Sequence, residues 1–314
     1  MKITSQPSHG RFARILSACL VAAAAFVLSA RVQAQLYIGQ TITNNIGEYS
    51  STTAATPINA NLVTGLSGGP TSLVLSGNTL FSVIPGDGKV VAYDATTGAV
   101  LNANFITGLS SPRGILISGN TMYVSSSSST IGTYNATTGA AINASFITSG
   151  PSGPQGLAIS GNSLFVANFS NDTVGKFDAT TGAVINAAFL TGVSTPVGLA
   201  ILGSNLYVAI KGSNRVGRYD TTTGTGTATF ISSGLNNPWG LAISGNNLFV
   251  SNVGTGKVGE YDASSGAAIN ASFVTVAGGP EGIAVVQVPE PGSVLLLVGG
   301  GGALLGWWRR RAVV

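Results

Sequence analysis

An all-β, six-bladed propeller of four-stranded blades is the fold this sequence predicts. Three observations predict it: a repeat of constant length, a strand-and-turn grammar inside the repeat, and two incomplete ends that complement each other. Six prolines, Pro70, Pro112, Pro154, Pro196, Pro238 and Pro280, recur every 42 residues, and each opens a near-copy of P-x-G-L-A-I-S-G-N-x-L-F-V. The apolar runs are short, bounded by Gly, Asn and Pro, and lack helical spacing, so each repeat reads as one small sheet.

The repeat at Pro154 shows the elements in order. Gly156-Leu157-Ala158-Ile159 is an unbroken apolar run, the mark of a first strand buried on both faces. Gly161-Asn162 follows as a tight-hairpin pair, and Leu164-Phe165-Val166 is the second strand. After a polar loop, Val174-Gly175-Lys176-Phe177 alternates, which predicts a third strand with one face outward. Asp178-Ala179-Thr180-Thr181-Gly182, matched by Asp94 to Gly98, Asn135 to Gly139 and Asp262 to Gly266, reads as a turn: the Asp or Asn side chain accepts local N–H groups, and Gly supplies positive φ. A fourth strand then carries Phe105, Phe146, Phe189, Phe230 or Phe273, with Leu62 in the first copy.

The ends settle the blade count. Residues 36–66 contain a second, a third and a fourth strand but no first, whereas Gly282-Ile283-Ala284-Val285-Val286 is a first strand with nothing after it. The two fragments complete one sheet, so the ring closes at six blades with no exposed edge at the seam.

Charge and reactive residues exclude several functions. The chain carries a formal +4, but residues 35–288 hold seven basic and nine acidic residues, a net −2, so there is no basic stripe for nucleic acid. The single histidine is His9 and the single cysteine Cys19, both ahead of the repeats. The repeat domain therefore has no disulfide, no thiolate nucleophile, no zinc site with His or Cys ligands and no serine–histidine relay.

Both ends read as addresses. Arg11 and Arg14 precede an apolar run from Ile15 to Ala30, and Val32-Gln33-Ala34 stands before Gln35. This predicts a signal peptide over residues 1–34, cut by signal peptidase between Ala34 and Gln35. The propeller follows over residues 35–288. In the last segment, 289–314, Pro289-Glu290-Pro291 leads into an apolar stretch from Gly292 to Trp308 and then Arg309, Arg310 and Arg311. Seventeen residues at about 1.5 Å each give a short transmembrane helix with its arginines on the cytoplasmic side. Triplet, span and basic cap closely resemble the PEP-CTERM sorting signal over residues 288–311. That resemblance implies anchoring in the inner membrane, recognition and cleavage by an exosortase, and delivery to the cell envelope or an exopolysaccharide matrix.

The repeats are similar to NHL-type six-bladed propellers through P-x-G-[LI]-x-[IV], the G-N turn, [LM]-[FY]-V and V-x-x-[FY]-D. Relatives often carry Asp just after the second strand; here Gln40, Ile84, Ser126, Asn168, Ile210 and Asn252 stand there, which weakens transfer of a metal-dependent activity.

One position varies freely inside the constant P-x-G frame: Thr71, Arg113, Gln155, Val197, Trp239 and Glu281. At the start of the innermost strands, these six form a ring around one mouth of the central channel. Arg113, Gln155, Trp239 and Glu281 offer a charge pair, an amide and an aromatic platform suited to a sugar; the competing reading is tolerated variation in a loop. The expectation is a non-enzymatic, exported propeller that binds polysaccharide or surface protein and needs no cofactor. The alternative is a calcium-dependent hydrolase or lactonase-like enzyme, for which Asp87, Asp172 and Glu281 are the candidate ligands.

Overall fold

The computed structural model describes residues 35–51 and 56–286. The expected signal peptide with its Ala34–Gln35 cut, and the sorting segment with Pro289, Glu290, Pro291 and the apolar stretch, lie outside the described residues. Among the described residues, no helix is long and apolar enough to cross a membrane.

Six four-stranded antiparallel sheets form the ring. The first blade contains β1 (Gln35–Gln40), β2 (Asn45–Ser50) and β3 (Pro57–Val63), and its innermost strand comes from the other end of the chain. In blade four, β12 (Pro154–Ser160), β13 (Ser163–Asn168), β14 (Thr173–Asp178) and β15 (Val184–Thr191) run from channel to rim. Blade two begins with β4 (Ser72–Ser76), blade three with β8 (Pro112–Ser118), blade five with β16 (Pro196–Leu202) and blade six with β20 (Pro238–Ser244). The final strand, β24 (Pro280–Val285), pairs with β1 in the register Leu36↔Val285, Tyr37↔Ala284 and Ile38↔Ile283. The shared blade is therefore present as the ends of the repeat require.

Two strand expectations change. The third strands are covered on both faces: in β14, Thr173, Val174, Gly175 and Phe177 are buried, and Lys176 and the terminal Asp178 are part-exposed. Blade packs on blade, so the alternation marks two different neighbours and no solvent side. Conversely, the innermost strands are only partly buried, because one side of each faces the channel.

The repeat phrase encodes the contacts between blades. Second-strand aromatics pack on the fourth-strand phenylalanines of their own blade, as in Phe81–Phe105 at 4.8 Å and Phe165–Phe189 at 5.3 Å between ring centroids. Where the second-strand aromatic is tyrosine, its hydroxyl reaches the next blade: Tyr123 donates to Ala179 O at 2.8 Å and Tyr207 to Ala263 O at 2.6 Å. At the turn after β14, Asp178 Oδ1 accepts from the Thr180 and Thr181 N–H groups at 2.9 and 2.7 Å, and Oδ2 accepts from Asn162 of the G-N turn at 2.6 Å. These bonds hold the Asp178 carboxyl below its ordinary range, the backbone bond from Thr181 most of all. The repeated carboxylates are thus structural, as the turn grammar implies.

The rim strands carry no charged residue, yet each slips register against its neighbour, as β15 does against β14 around Lys176. Such bulges twist an edge away from further pairing, which protects it without charge.

Candidate functional site

The P-x-G phrase builds the channel wall. In blade four, Pro154 pairs with Asn168 and Leu157 with Val166, so Gln155 and Gly156 together stand opposite the single Ala167. The same two-against-one bulge follows Pro112, Pro196 and Pro238. A bulge leaves its extra residue unpaired and re-aims it. The variable residue is therefore released toward the axis. The glycine after it allows the close approach: a Cβ on Gly156 would lie 2.3 Å from Val197 O, and one on Gly198 2.1 Å from Trp239 O.

Serines stitch this layer between blades. Ser125 Oγ accepts from the Gly114 N–H at 2.8 Å and donates to Gln155 O at 2.6 Å, and Ser251 likewise joins the Gly240 N–H at 2.7 Å to Glu281 O at 3.0 Å. The backbones under Gln155 and Glu281 are thereby fixed while their side chains remain free to differ.

All six variable residues, Thr71, Arg113, Gln155, Val197, Trp239 and Glu281, line one cavity of about 100 Å³ on the axis. That volume holds a few waters or a group of carboxylate size. The loops between second and third strands share this mouth. From one of them Lys211 places its ammonium 4.4 Å from the Trp239 ring centroid and 5.5 Å from that of Phe169. Thr41 Oγ1 stands 3.4 Å from Glu281 Oε1 and 3.1 Å from Gly279 O, one hydroxyl proton serving two acceptors.

Glu281 is the most perturbed acid of the site. Burial pushes its pKa up from 4.5 to about 7, against the lowering pull of the Thr41 hydroxyl, Arg113 and Lys211. Arg113 Nε is buried and has no hydrogen-bond partner. Lys211 and Thr41 were not among the residues singled out by the repeat. They vary from loop to loop, and only their place in the loops flanking the mouth marks them.

The raised pKa of Glu281 has a stability consequence. Between its unfolded and folded values the native state binds the proton more strongly, so the contribution is fully present below pH 4.5 and is lost as pH rises through 7. A shift of this size corresponds to about 3 kcal/mol. Thermal unfolding between pH 5 and pH 8 is expected to show falling stability, with Glu281→Gln flattening that fall and melting higher than the parent at pH 8. An equal slope in the variant removes Glu281 as the cause.

Asp87, Asp172 and Glu281 are not brought together. Asp87 pairs with Lys89 at 2.8 Å and accepts from Ser67; Asp172 Oδ1 accepts from the Thr195 N–H at 2.7 Å; Glu281 lines the channel. Among the described residues no group of three or more His, Cys, Asp or Glu is placed to hold a metal ion. The residues after the second strands also have structural tasks: Asn168 Oδ1 accepts from the Ser152 N–H at 3.2 Å, Asn252 Oδ1 from the Asn236 N–H at 3.1 Å and Gln40 Oε1 from the Gly278 N–H at 3.2 Å.

The family profile described as outer membrane protein assembly factor BamB matches residues 44–272. The chain belongs to this family. Its match spans most of the six blades, so the repeat grammar that resembles NHL propellers is here that of a BamB-type repeat. The PEP-CTERM protein-sorting motif matches residues 287–311, which marks the chain for export, membrane anchoring and processing by an exosortase-type enzyme. No curated protein matches the sequence. Among solved structures, a chain in the crystal structure of a Nidogen/Laminin complex aligns with a TM-score of 0.69 at 15% identity, covering 81% of this chain and 99% of that one. This likeness is one of fold. The computationally designed Ika8 protein aligns over 73% of both chains at 18% identity with a TM-score of 0.45, too low to carry an argument.

Proposed function

We propose that the protein is an exported, non-catalytic binding module of the cell envelope or extracellular matrix, with its ligand site at the channel mouth bearing Arg113, Gln155, Trp239 and Glu281. The observation that carries this reading is the convergence of six unlike side chains on one cavity, from a frame otherwise held constant by Pro, Gly and Ser. Constant frames with one variable position are how a scaffold supports recognition. The propeller offers no histidine or cysteine, its turn carboxylates are committed to turns, and the binding role needs no cofactor. The partners are exopolysaccharide or surface proteins met after export and sorting, with signal peptidase and the exosortase acting on the two ends.

The test is capture. Immobilised full-length protein is incubated with the exopolysaccharide and surface-protein fractions of the cells that export it. Retention of a component from either fraction is expected, and retention of nothing from both contradicts the reading.

A further inference from the structure

We propose that the mouth binds the carboxylates of an acidic polysaccharide, with Arg113 and Lys211 as the cations that hold them. This rests on the reading of the mouth as a binding surface and names the ligand class. Three observations carry it.

The first is an unused donor. Arg113 lines the cavity, and its Nε is one of only two buried side-chain polar atoms without a hydrogen-bond partner among the described residues. A buried guanidinium N–H without an acceptor is costly, and a carboxylate oxygen is the acceptor that satisfies it by a charge-assisted bond. Neither Arg113 nor Lys211 is in an ion pair: among the described residues the one salt bridge is Lys89–Asp87. Lys211 is parked on the faces of Trp239 and Phe169 instead, within reach of the mouth.

The second is the distribution of charge along the axis. At the mouth end, Arg113, the loop residue Lys211 and the third-strand starts Lys89, Arg215 and Lys257 face Asp87, Asp172 and Glu281, a net +2 with Glu281 ionised. The opposite end carries Asp94, Asp178, Asp220 and Asp262; Lys176 and Arg218 reach its turns at Thr221 O and Ser264 O, but Glu48 and Glu260 at the same strand position offset them, which leaves a net −4. A repeat domain that is acidic overall, with a net −2 over residues 35–288, thus presents a positive pole only where the variable ring lies, and such a pole concentrates anions.

The third is size and shape. The cavity of about 100 Å³ suits a carboxylate with waters, and it opens at the mouth, so a polymer lies across the mouth and inserts its acid groups. Trp239 and Phe169 beside the cations give ring surface for a flat apolar face. A uronic acid combines that face with the anion, whereas an acidic peptide side chain supplies the anion alone.

Glu281 makes the site sensitive to pH. The charged groups facing it are Arg113 and Lys211, with the Thr41 hydroxyl alongside. Below about pH 7 its carboxyl is held neutral by burial and leaves both cations to the ligand; above that it ionises and competes for them.

The test is titration of the full-length chain, in a neutral detergent, with four probes: oligogalacturonate, its full methyl ester, monomeric galacturonate and poly-L-glutamate of matched charge, at pH 6 and pH 8.5. The acidic oligomer is expected to bind at least about tenfold more tightly than the ester, the monomer and the polypeptide. Arg113→Gln is expected to lower that affinity about ten- to a hundredfold, with Arg113→Lys intermediate and both melting like the parent. Raising the pH is expected to weaken binding by the parent and not by Glu281→Gln. Equal binding of the ester overturns the inference and leaves the broader binding role standing. Equal binding of poly-L-glutamate assigns the mouth to an acidic protein and overturns it too. The same holds for self-association in sedimentation that Arg113→Gln abolishes, which makes the occupant the acidic pole of a second copy. If no probe binds while the immobilised chain still captures matrix material, this inference alone fails; if capture fails as well, both do.

Discussion

Truncation before Pro280 is expected to unfold the propeller or drive it into oligomers. The strand Pro280–Val285 is the innermost strand of the first blade and packs against the innermost strands of blades two and six. Its removal uncovers Leu36 and Ile38, both fully buried, together with the backbone groups of β1 that pair with Ile283, Ala284 and Val285. Each buried aliphatic side chain is worth about 1.5–3 kcal/mol, and a domain of this kind has only about 5–15 kcal/mol in total. The newly opened edge is also a template for pairing with another chain. The control is a chain ending at Val288, which keeps the closing strand and lacks the tail. Calorimetry and light scattering on the pair are expected to show a monomeric, cooperatively melting control and a truncated chain that does neither. An unchanged melting temperature in a monomeric truncated chain contradicts the closure.

Gly198→Ala is expected to cost about 1–3 kcal/mol or more, because the added methyl meets backbone that has nowhere to go. A Cβ at that position lies 2.1 Å from Trp239 O and 3.1 Å from Leu241 N, so the neighbouring innermost strand must shift and the mouth with it. Gly86→Ala is the matched control, since its Cβ meets nothing within 4 Å, and it is expected to stay within about 0.5 kcal/mol of the parent. Denaturant unfolding of the two variants measures the difference. Equal stabilities show that the first glycine of the repeat phrase does not set the approach of the blades.

Much of the architecture was legible because the repeat states it six times. The period, the G-N and Asp-to-Gly turns and the complementary ends each name a strand or a boundary, and Pro280 to Val286 lacks any partner but the chain start. The ring of variable residues was legible for the same reason, since Arg113, Trp239 and Glu281 stand out only against a constant frame. Burial was less so. Val174 and Lys176 alternate with Gly175 and Phe177 as in a half-exposed strand, but both sides meet neighbouring blades, and periodicity within one strand carries no record of what packs on it. The loop from Lys211 to Arg215 was legible as part of the mouth from its place after a second strand, but the seat of Lys211 on Trp239 is made by two blades: no local pattern says that a loop after one Pro-x-Gly phrase leans over the next. The burial that raises Glu281 and the orphaned Nε of Arg113 are products of ring closure.

The measurement that bears most directly on the channel mouth as the working surface is the affinity of the full-length chain for matrix material from its own cells, compared with that of Arg113→Ala/Trp239→Ala. Both side chains are partly exposed at the cavity, but Trp239 also packs against the buried cluster between blades five and six, so the double variant should melt below the parent and the two are compared at a temperature below both transitions. The parent is expected to retain a matrix component, and the variant to hold it at least about tenfold more weakly. Equal retention by the two, with both folded, places the function elsewhere on the molecule.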